Sequence, residues 1–322
     1  MKKQRIYLRI PNWIGDVCMS LPSIEALIQE NIELVICAKP WAKELLSTLN
    51  YTDFIELNGE IIHDFTKIAR HLKENPCERP LALTLPHSLT SAITFKAAKL
   101  KTAGFKAQGR SLLLSWRFNM NRQVHRVQCW YELVKKTIET WKKMGINLSS
   151  PPELNDYIPY TINPQSLQEA QLIQETYQLK DFILIAPTAT GKHKGKDKNW
   201  PYYHELTQML QAQGYTVAVS VPEKELSIAK AHAPTALFLP SIKLSTYIAL
   251  TSLAKLVICN DSGVAHLCSL SQTPQLTMIG VTDPSITAPW TPHKYLMGSS
   301  QGWASAQDVY QKALTLLPPH HE

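Results

Sequence analysis

Residues 260–267, Asn-Asp-Ser-Gly-Val-Ala-His-Leu, are the stretch of the sequence that says most about the fold. They follow the apolar run 256–259 (Leu-Val-Ile-Cys), which predicts a buried strand, and they precede a short segment that Pro274 ends. The pattern predicts a strand, a tight turn and a short helix. Asp261, Ser262 and Gly263 are then at the start of that helix.

A helix start offers unpaired backbone N–H groups and the positive end of the helix dipole, so phosphate is its natural ligand. Gly263 would let such a ligand approach the backbone closely. The Asp261 carboxylate suits sugar hydroxyls better than phosphate, so a nucleotide-sugar would satisfy both features. The segment alone also permits a simpler interpretation, in which Asp261 or Ser262 caps the helix.

Strands and helices alternate along the whole chain, which predicts parallel sheets with both faces covered. The expected strands are 5–10, 33–38, 54–57, 81–85, 182–186, 216–221, 237–239, 256–259 and 276–281. The expected helices are 17–29, 42–49, 63–74, 91–98, 127–144, 165–177, 202–213, 244–253 and 305–317. Ligands of such sheets bind beyond the carboxyl ends of the strands.

The Pro-rich segment 149–164 interrupts this alternation and predicts a linker between two domains. We therefore expect an α/β protein with two doubly wound domains facing across a cleft. The expected bounds are 1–155 and 156–303, followed by a terminal helix in 304–322. Ser305 and Asp308 are spaced as a capping pair for that helix.

The composition favours a globular protein of the reducing cytoplasm. Hydrophobic residues make up 44% of the 322 residues, and the six cysteines form no C-x-x-C pair. The apolar run after the basic N-terminus is too short for a signal peptide, and no run reaches transmembrane length.

The net charge of +7 and the pI of about 9.0 indicate an anionic partner. Residues 79–131 contain no Asp or Glu. Their basic side chains are Arg79, His87, Lys96, Lys99, Lys101, Lys106, Arg110, Arg117, Arg122, His125 and Arg126. This stretch predicts a surface for a polyanionic or membrane-bound partner, unless acids elsewhere in space balance it.

Two further segments follow expected strands. In Pro-Asn-Trp-Ile-Gly-Asp (11–16), Asp16 either caps the next helix or lines the cleft as a general base. The loop 186–201 combines hydroxyls with lysines and can hold a diphosphate, although it lacks the G-K-[ST] of a Walker A loop. Gly-Val-Thr-Asp-Pro (280–284) predicts a turn.

No D-x-D motif occurs, although many nucleotide-sugar enzymes hold a divalent metal with it. We therefore expect no metal and no cofactor. Lysines, hydroxyls and helix dipoles would neutralise the charge of a leaving group instead.

Four segments in order resemble the ADP-heptose:lipopolysaccharide heptosyltransferases, which are glycosyltransferase family 9 enzymes of GT-B fold. They are 11–27, the loop closing with K-N-W-P (198–201), N-D-S-G-V-A-H-L (260–267), and T-D-P with a nearby P-W (282–290). The residues of the first segment, 11–27, are more similar to heptosyltransferase II than to heptosyltransferase I. The chain departs from the family in a longer, lysine-rich loop at 188–198, in Thr188 where glycine is frequent, and in Val281 where proline is frequent.

The resemblance implies two Rossmann-like domains, an N-terminal one for a lipid-linked acceptor and a C-terminal one for ADP-heptose, with the terminal helix returning to the first. It implies an inverting transfer to the lipopolysaccharide inner core, with Asp16 as base. The implied donor-binding residues are Thr188, Thr190, Lys198, Glu223, Asp261, Ser262, Gly263 and His266. For the acceptor we expect Asn12, Trp13, Lys96, Lys99, Lys101, Lys106, Arg110, Arg117 and Arg122.

The expected location is the cytoplasmic face of the inner membrane, bound peripherally through residues between about 96 and 126, because lipid A phosphates and Kdo carboxylates are anionic. One alternative keeps the enzyme class but changes the nucleotide-sugar or uses a later core acceptor. Others are a nucleic-acid-binding protein and a non-catalytic protein. Against nucleic acid, the aromatics Phe105, Trp116 and Phe118 form no repeated stacking pattern.

Overall fold

The computed structural model describes residues 3–29, 31–107, 109–191 and 195–317. The chain divides into two compact units, Met1–Asn155 and Asp156–Glu322. Each unit is built on its own six-stranded parallel sheet. Residues 144–163 form neither helix nor strand, as the Pro-rich composition predicts.

The first unit alternates strands with helices. Its strands are β1 (Gln4–Arg9), β2 (Ile32–Ala38), β3 (Asp53–Glu56), β4 (Leu81–Thr84), β5 (Lys101–Phe105) and β6 (Trp116–Phe118). Its helices are α1 (Ile14–Glu25), α2 (Ala42–Leu45), α3 (Ile61–Glu74), α4 (Leu89–Ala97) and α5 (Arg126–Lys143). Most positions of the central strands β1, β2 and β4 are buried, which accounts for apolar runs such as 6–8 and 34–38.

The second unit repeats the arrangement. Its strands are β7 (Ile183–Ala186), β8 (Val217–Val219), β9 (Leu237–Phe238), β10 (Leu256–Asn260), β11 (Gln275–Ile279) and β12 (Lys294–Gly298). Its helices are α6 (Pro164–Thr176), α7 (Tyr203–Ala212), α8 (Leu226–His232), α9 (Leu244–Leu253), α10 (Gly263–Ser269), α11 (Pro284–Thr287) and α12 (Ala306–Leu316). Two hydrophobic clusters fill its interior, and alternate residues of β7 and β10 contribute to each.

The strand order is the same in both units. It is β3-β2-β1-β4-β5-β6 in the first and, from the other edge, β9-β8-β7-β10-β11-β12 in the second. Both are doubly wound sheets in which the winding direction reverses between the first and the fourth strand. Ligands bind at such a reversal, beyond the carboxyl ends of the strands. The relevant loops therefore follow β1 and β4 in one unit and β7 and β10 in the other.

The α/β, doubly wound fold class is confirmed, but several elements differ from the prediction. β5, β6, α8, α11 and β12 were not expected from the sequence. α1 begins at Ile14, earlier than the expected start at residue 17, so Gly15 and Asp16 lie in its first turn. Helix α1 also ends at Glu25, earlier than the apolar pattern indicated.

The terminal helix α12 packs against α7 and adds Val309 and Ala313 to a core cluster of the second unit. The expected capping pair is confirmed, since the Asp308 N–H donates to Ser305 Oγ at 3.1 Å. The Trp200 indole N–H holds the approach to this helix by donating to the Ala304 carbonyl at 2.9 Å. The return of the terminal helix to the first domain stays a prediction.

Candidate active site

In the second unit, the Asp261 carboxylate contacts polar side chains from two other loops. It follows β10 directly and is only 6% exposed. Thr282, just after β11, donates its hydroxyl to Asp261 Oδ2, and the Lys198 ammonium lies 3.9 Å from the same oxygen. A threonine hydroxyl and an ammonium thus hold one carboxylate at the carboxyl ends of neighbouring strands. Sequence reasoning missed Thr282, because the 280–284 segment alone predicts only a turn.

Neither Asp261 nor Ser262 caps α10, so the simpler interpretation of this segment is wrong. Ser262 occupies the position before the helix, but its side chain accepts no capping hydrogen bond. Gly263 opens the helix, and His266 is buried within it. The side chains of Asp261 and Ser262 therefore do not satisfy the first N–H groups of α10 as a cap would.

Two asparagines fix the loop that carries Lys198. Asn260, fully buried at the end of β10, accepts the Trp200 backbone N–H at 2.9 Å through Oδ1. Asn199 accepts the Ala189 N–H at 2.6 Å and so ties the two ends of the loop together. Lys198 therefore precedes two anchored residues. The only sequence signal for Asn260 is a lone amide ending an apolar strand. Lys192, His193 and Lys194 of this loop lie outside the described residues.

Replacing Asn260 with alanine should lower the free energy of unfolding by about 2 kcal/mol, because the buried Trp200 N–H loses its acceptor. Urea denaturation measures the change. Asn119→Ala, at an exposed residue, is the matched control, with an expected change within about 0.5 kcal/mol. Equal losses in the two variants would contradict the anchoring role of Asn260.

The Thr188 hydroxyl, buried just after β7, donates to Glu225 Oε2 at 2.7 Å. Glu223 and Thr190 are exposed. Both glutamates follow β8 in one 3₁₀ turn, Glu223–Glu225, but Glu225 is the one that reaches Thr188. Sequence reasoning therefore missed Glu225 as a neighbour of this loop.

In the first unit, Asp16 lies half-buried at the carboxyl end of β1. Helix α1 has no side-chain cap and its capping position is Trp13, so the interpretation of Asp16 as a cap is wrong. Burial raises the pKa of the Asp16 carboxyl, and the positive charge of Arg126 acts in the opposite direction. Arg126 opens α5 and was not among the expected site residues.

His87, in the loop after β4, belongs to the same electropositive region. Burial lowers the pKa of its imidazole, and the charges of Arg126, Arg110 and Arg122 lower that pKa further. Loops after β1 and β4, on either side of the reversal in winding, thus bring a carboxylate and a group of cations to one edge of the sheet. The acid-free composition of 79–131 was the only sequence signal for this group.

The expected acceptor-binding residues do not form one surface. Lys96, Lys99 and Lys101 precede or open β5, whereas Lys106 follows it, so they lie at opposite edges of the parallel sheet. All are exposed, as are Arg117 and Arg122. Arg110, in contrast, is fully buried.

Arg110 lies beneath the sheet end and donates to the Pro86 carbonyl at 2.6 Å, while its Nε and Nη2 make no hydrogen bond with the described residues. Gly104 makes room for it, because a Cβ there would stand 2.9 Å from Arg110 Nη2. Of the other two expected acceptor residues, Asn12 accepts from the Arg9 guanidinium at 2.6 Å, and Trp13 is 77% exposed.

The described residues contain no group of three His, Cys, Asp or Glu side chains placed to hold a metal ion. No helix within the described ranges has the length and apolar character needed to cross a membrane.

Comparison with known families identifies the class of enzyme to which this site belongs. The family model of glycosyltransferase family 9 (heptosyltransferase) matches residues 65–317. The chain belongs to glycosyltransferase family 9. It is therefore a glycosyltransferase of the heptosyltransferase family, and the resemblance found in the sequence is confirmed. The match begins after Asp16, so this residue is outside it.

Similar proteins of the family agree in sequence and fold. The lipooligosaccharide heptosyltransferase 2 of Haemophilus influenzae is 27% identical over 303 residues, which cover 87% of this chain and 84% of that protein. The Escherichia coli ADP-heptose lipopolysaccharide heptosyltransferase II structure has a TM-score of 0.74 at 20% identity, covering 97% and 98% of the two chains. The Escherichia coli heptosyltransferase WaaC with ADP has a TM-score of 0.73 at 18% identity, covering 97% and 100%. These likenesses confirm the GT-B fold class.

Proposed function

We propose that this family 9 enzyme transfers heptose from ADP-heptose to the lipopolysaccharide inner core, on a Kdo- or heptosyl-Kdo-lipid A acceptor. The transfer inverts the anomeric carbon and uses no metal ion. The observation that carries the proposal is the position of Asp16. Its half-buried carboxylate caps no helix and lies where the winding direction of the first sheet reverses.

Asp16 is the general base of the proposed reaction. It accepts the proton of the acceptor hydroxyl as that oxygen attacks the anomeric carbon, and a single base suffices for a direct displacement. Burial raises the pKa of this carboxyl, which makes Asp16 a stronger base than an exposed aspartate.

Lys198 stabilises the departing ADP. Negative charge grows on the diphosphate as the glycosidic bond breaks, and a preorganised cation is an effective way to stabilise it. The contact with Asp261 and the anchored Asn199 hold the ammonium in place. Within the described residues, the contacts of the Asp261 side chain fall on Oδ2, so Oδ1 can accept heptose hydroxyls.

We infer the remaining contacts with the sugar donor from where each residue lies in the second unit. The backbone at Ser262 and Gly263, with His266, binds the phosphates, and Thr190 binds them from the β7 loop. The Thr188 hydroxyl already donates its one proton to Glu225, so we assign Thr188 to holding the loop rather than to a phosphate. An acid after the second strand of a doubly wound sheet is well placed for ribose hydroxyls. Glu223 is our expected ribose ligand, and Glu225 of the same 3₁₀ turn accepts the Thr188 hydroxyl.

The acceptor binds to the first unit. Asn12 and Trp13 flank Asp16 in sequence, and Lys106, Arg117 and Arg122 supply exposed cations for phosphates and carboxylates. A lipid-linked acceptor brings the enzyme to the cytoplasmic face of the inner membrane as a peripheral protein.

The test is ADP release from ADP-heptose with heptosyl-Kdo2-lipid A, measured with and without a chelator. We expect acceptor-dependent release that the chelator changes by less than about twofold. ADP binding without release would refute this acceptor, and a steady preference for UDP or GDP would refute the donor. Loss of activity in the chelator would refute the metal-free mechanism.

The pH dependence follows from Asp16. Its pKa is raised, so kcat/KM should fall as the pH decreases through a value above that of an ordinary aspartate, where the base becomes protonated. Arg126 lowers this pKa, so Arg126→Ala should move the acidic limb to higher pH. A pH profile of both proteins measures the shift. An unmoved limb, or one that moves to lower pH, would contradict the assignment of Asp16.

A further inference from the structure

The 3₁₀ turn Ser111–Leu113 presents Leu112, which at 85% exposure is the most exposed large apolar side chain of the described residues. The exposure is a property of the folded chain, because the residues on both sides are fixed. Arg110 is fully buried before the turn and Leu114 is 6% exposed after it. The Leu113 N–H closes the turn by donating to the Arg110 carbonyl at 2.9 Å.

A second exposed leucine lies beside this turn. Leu89 opens α4 and is 46% exposed. Helix α4 packs against the turn, and a Cβ at Gly109 would be 3.9 Å from a Leu89 methyl. Two segments distant in sequence therefore present apolar side chains at one place on the surface.

The surroundings of the turn are basic. A concavity of about 540 Å³ adjoins it, lined by Lys106, Ser111, Ser115, Trp116, Arg117, Phe118 and Thr140. Lys106 and Arg117 are exposed, and no acidic residue occurs in residues 79–131. An apolar tip with cationic neighbours has the chemistry of an anionic lipid surface, in which the apolar side chain enters the acyl boundary and the cations meet phosphates.

Leu172 is another exposed leucine of the described residues, but its neighbours are acidic. Leu172 on α6 is 63% exposed, yet Glu169 and Glu175 stand three residues away on either side, on the same helical face. Single exposed leucines are ordinary on soluble proteins. Leu112 differs because its exposure coincides with an acid-free, basic part of the chain.

We infer that the 111–113 turn inserts Leu112 into an anionic phospholipid bilayer while Lys106 and Arg117 contact the headgroup phosphates. The inference deepens the proposed function, which gives the enzyme its reason to meet a membrane. The membrane contact is then made by the 111–113 turn and by the neighbouring cations Lys106 and Arg117. Lys96, Lys99 and Lys101, at the other edge of the sheet, take no part in it.

The experiment is co-sedimentation of the full chain with vesicles of phosphatidylglycerol and phosphatidylcholine in equal parts, and with phosphatidylcholine alone. Wild type should bind the mixed vesicles, and salt should weaken that binding. Leu112→Ser should lower the partition coefficient about tenfold, since the burial of one leucine is lost. Leu172→Ser, the matched control, should stay within about twofold of wild type.

ADP binding and thermal unfolding of both variants show that they remain folded. Equal partitioning of Leu112→Ser and wild type overturns the inference, and so does equal binding to the two kinds of vesicle. Vesicle binding without ADP release from ADP-heptose would refute the proposed function and support this inference. ADP release without vesicle binding would do the reverse.

Discussion

Asp16→Asn should lower kcat for acceptor-dependent ADP release by about 10³-fold, the range expected when a general base is removed. The amide has nearly the size of the carboxylate but cannot take the proton of the attacking hydroxyl. The change leaves helix α1 intact, because Asp16 does not cap it. Steady-state ADP release with saturating ADP-heptose and acceptor measures the loss.

Glu25→Gln is the matched control for this variant. Glu25 ends the same helix, and burial raises the pKa of its carboxyl as well. Glu25→Gln should keep activity near that of wild type. Since burial disfavours the charged form of Asp16, Asp16→Asn should unfold no more easily than wild type. Activity of Asp16→Asn above about a tenth of wild type would contradict its role as base.

Lys198→Ala should lower kcat by about 10²- to 10³-fold, because charge on the departing diphosphate then lacks its preorganised cation. The loss in ADP affinity should be smaller than the loss in kcat, since the charge to be stabilised grows toward the transition state. Measurements of kcat and of the Kd for ADP separate the two effects.

Lys196→Ala provides the control within the same loop. Lys196 is exposed, whereas the Lys198 side chain is 18% exposed and lies beside Asp261. If the loop acts only through its general positive charge, the two variants will lose activity equally, and that result would contradict a specific role for Lys198. We expect the Lys196→Ala kcat to stay within about threefold of wild type.

The sequence was sufficient for the central strands and for the residues that end them. β7 and β10 are buried at every position, so their apolar runs stand out, and Asp261 follows directly where β10 ends. β1 has a shorter apolar run, 6–8, and Asp16 lies in the first turn of the helix that follows it. Strands far from the centre of the sheet carry a weaker signal. β5 includes lysine, threonine and glycine, and β6 has only three residues, so neither resembles a buried strand.

Hydrogen bonds between residues far apart in the chain could not be predicted from the sequence. Asn260 and Trp200 are 60 residues apart, and Asp261 and Thr282 are 21 apart. Each meeting depends on the strand order, which places β7, β10 and β11 side by side. Glu223 and Glu225 both follow β8, and the sequence does not say which of them contacts Thr188. The path of the 3₁₀ turn brings Glu225 to the Thr188 hydroxyl.

The basic stretch illustrates another limit. Its freedom from acids suggested one continuous face, but β5 passes through it and carries cations to opposite sheet edges. Arg110 is counted among those cations in sequence, and its full burial could not be anticipated without knowing that Gly104 makes space for it.

The repeated strand order has an evolutionary consequence. Each unit completes its own sheet and, on the proposed assignment, one recognises the nucleotide-sugar and the other the glycan. Selection can then alter the loops of one half while the other keeps its inherited chemistry. A new acceptor specificity would arise by changes in the first half alone, so descendants of such an enzyme would diversify in the glycans they extend sooner than in the sugar they donate.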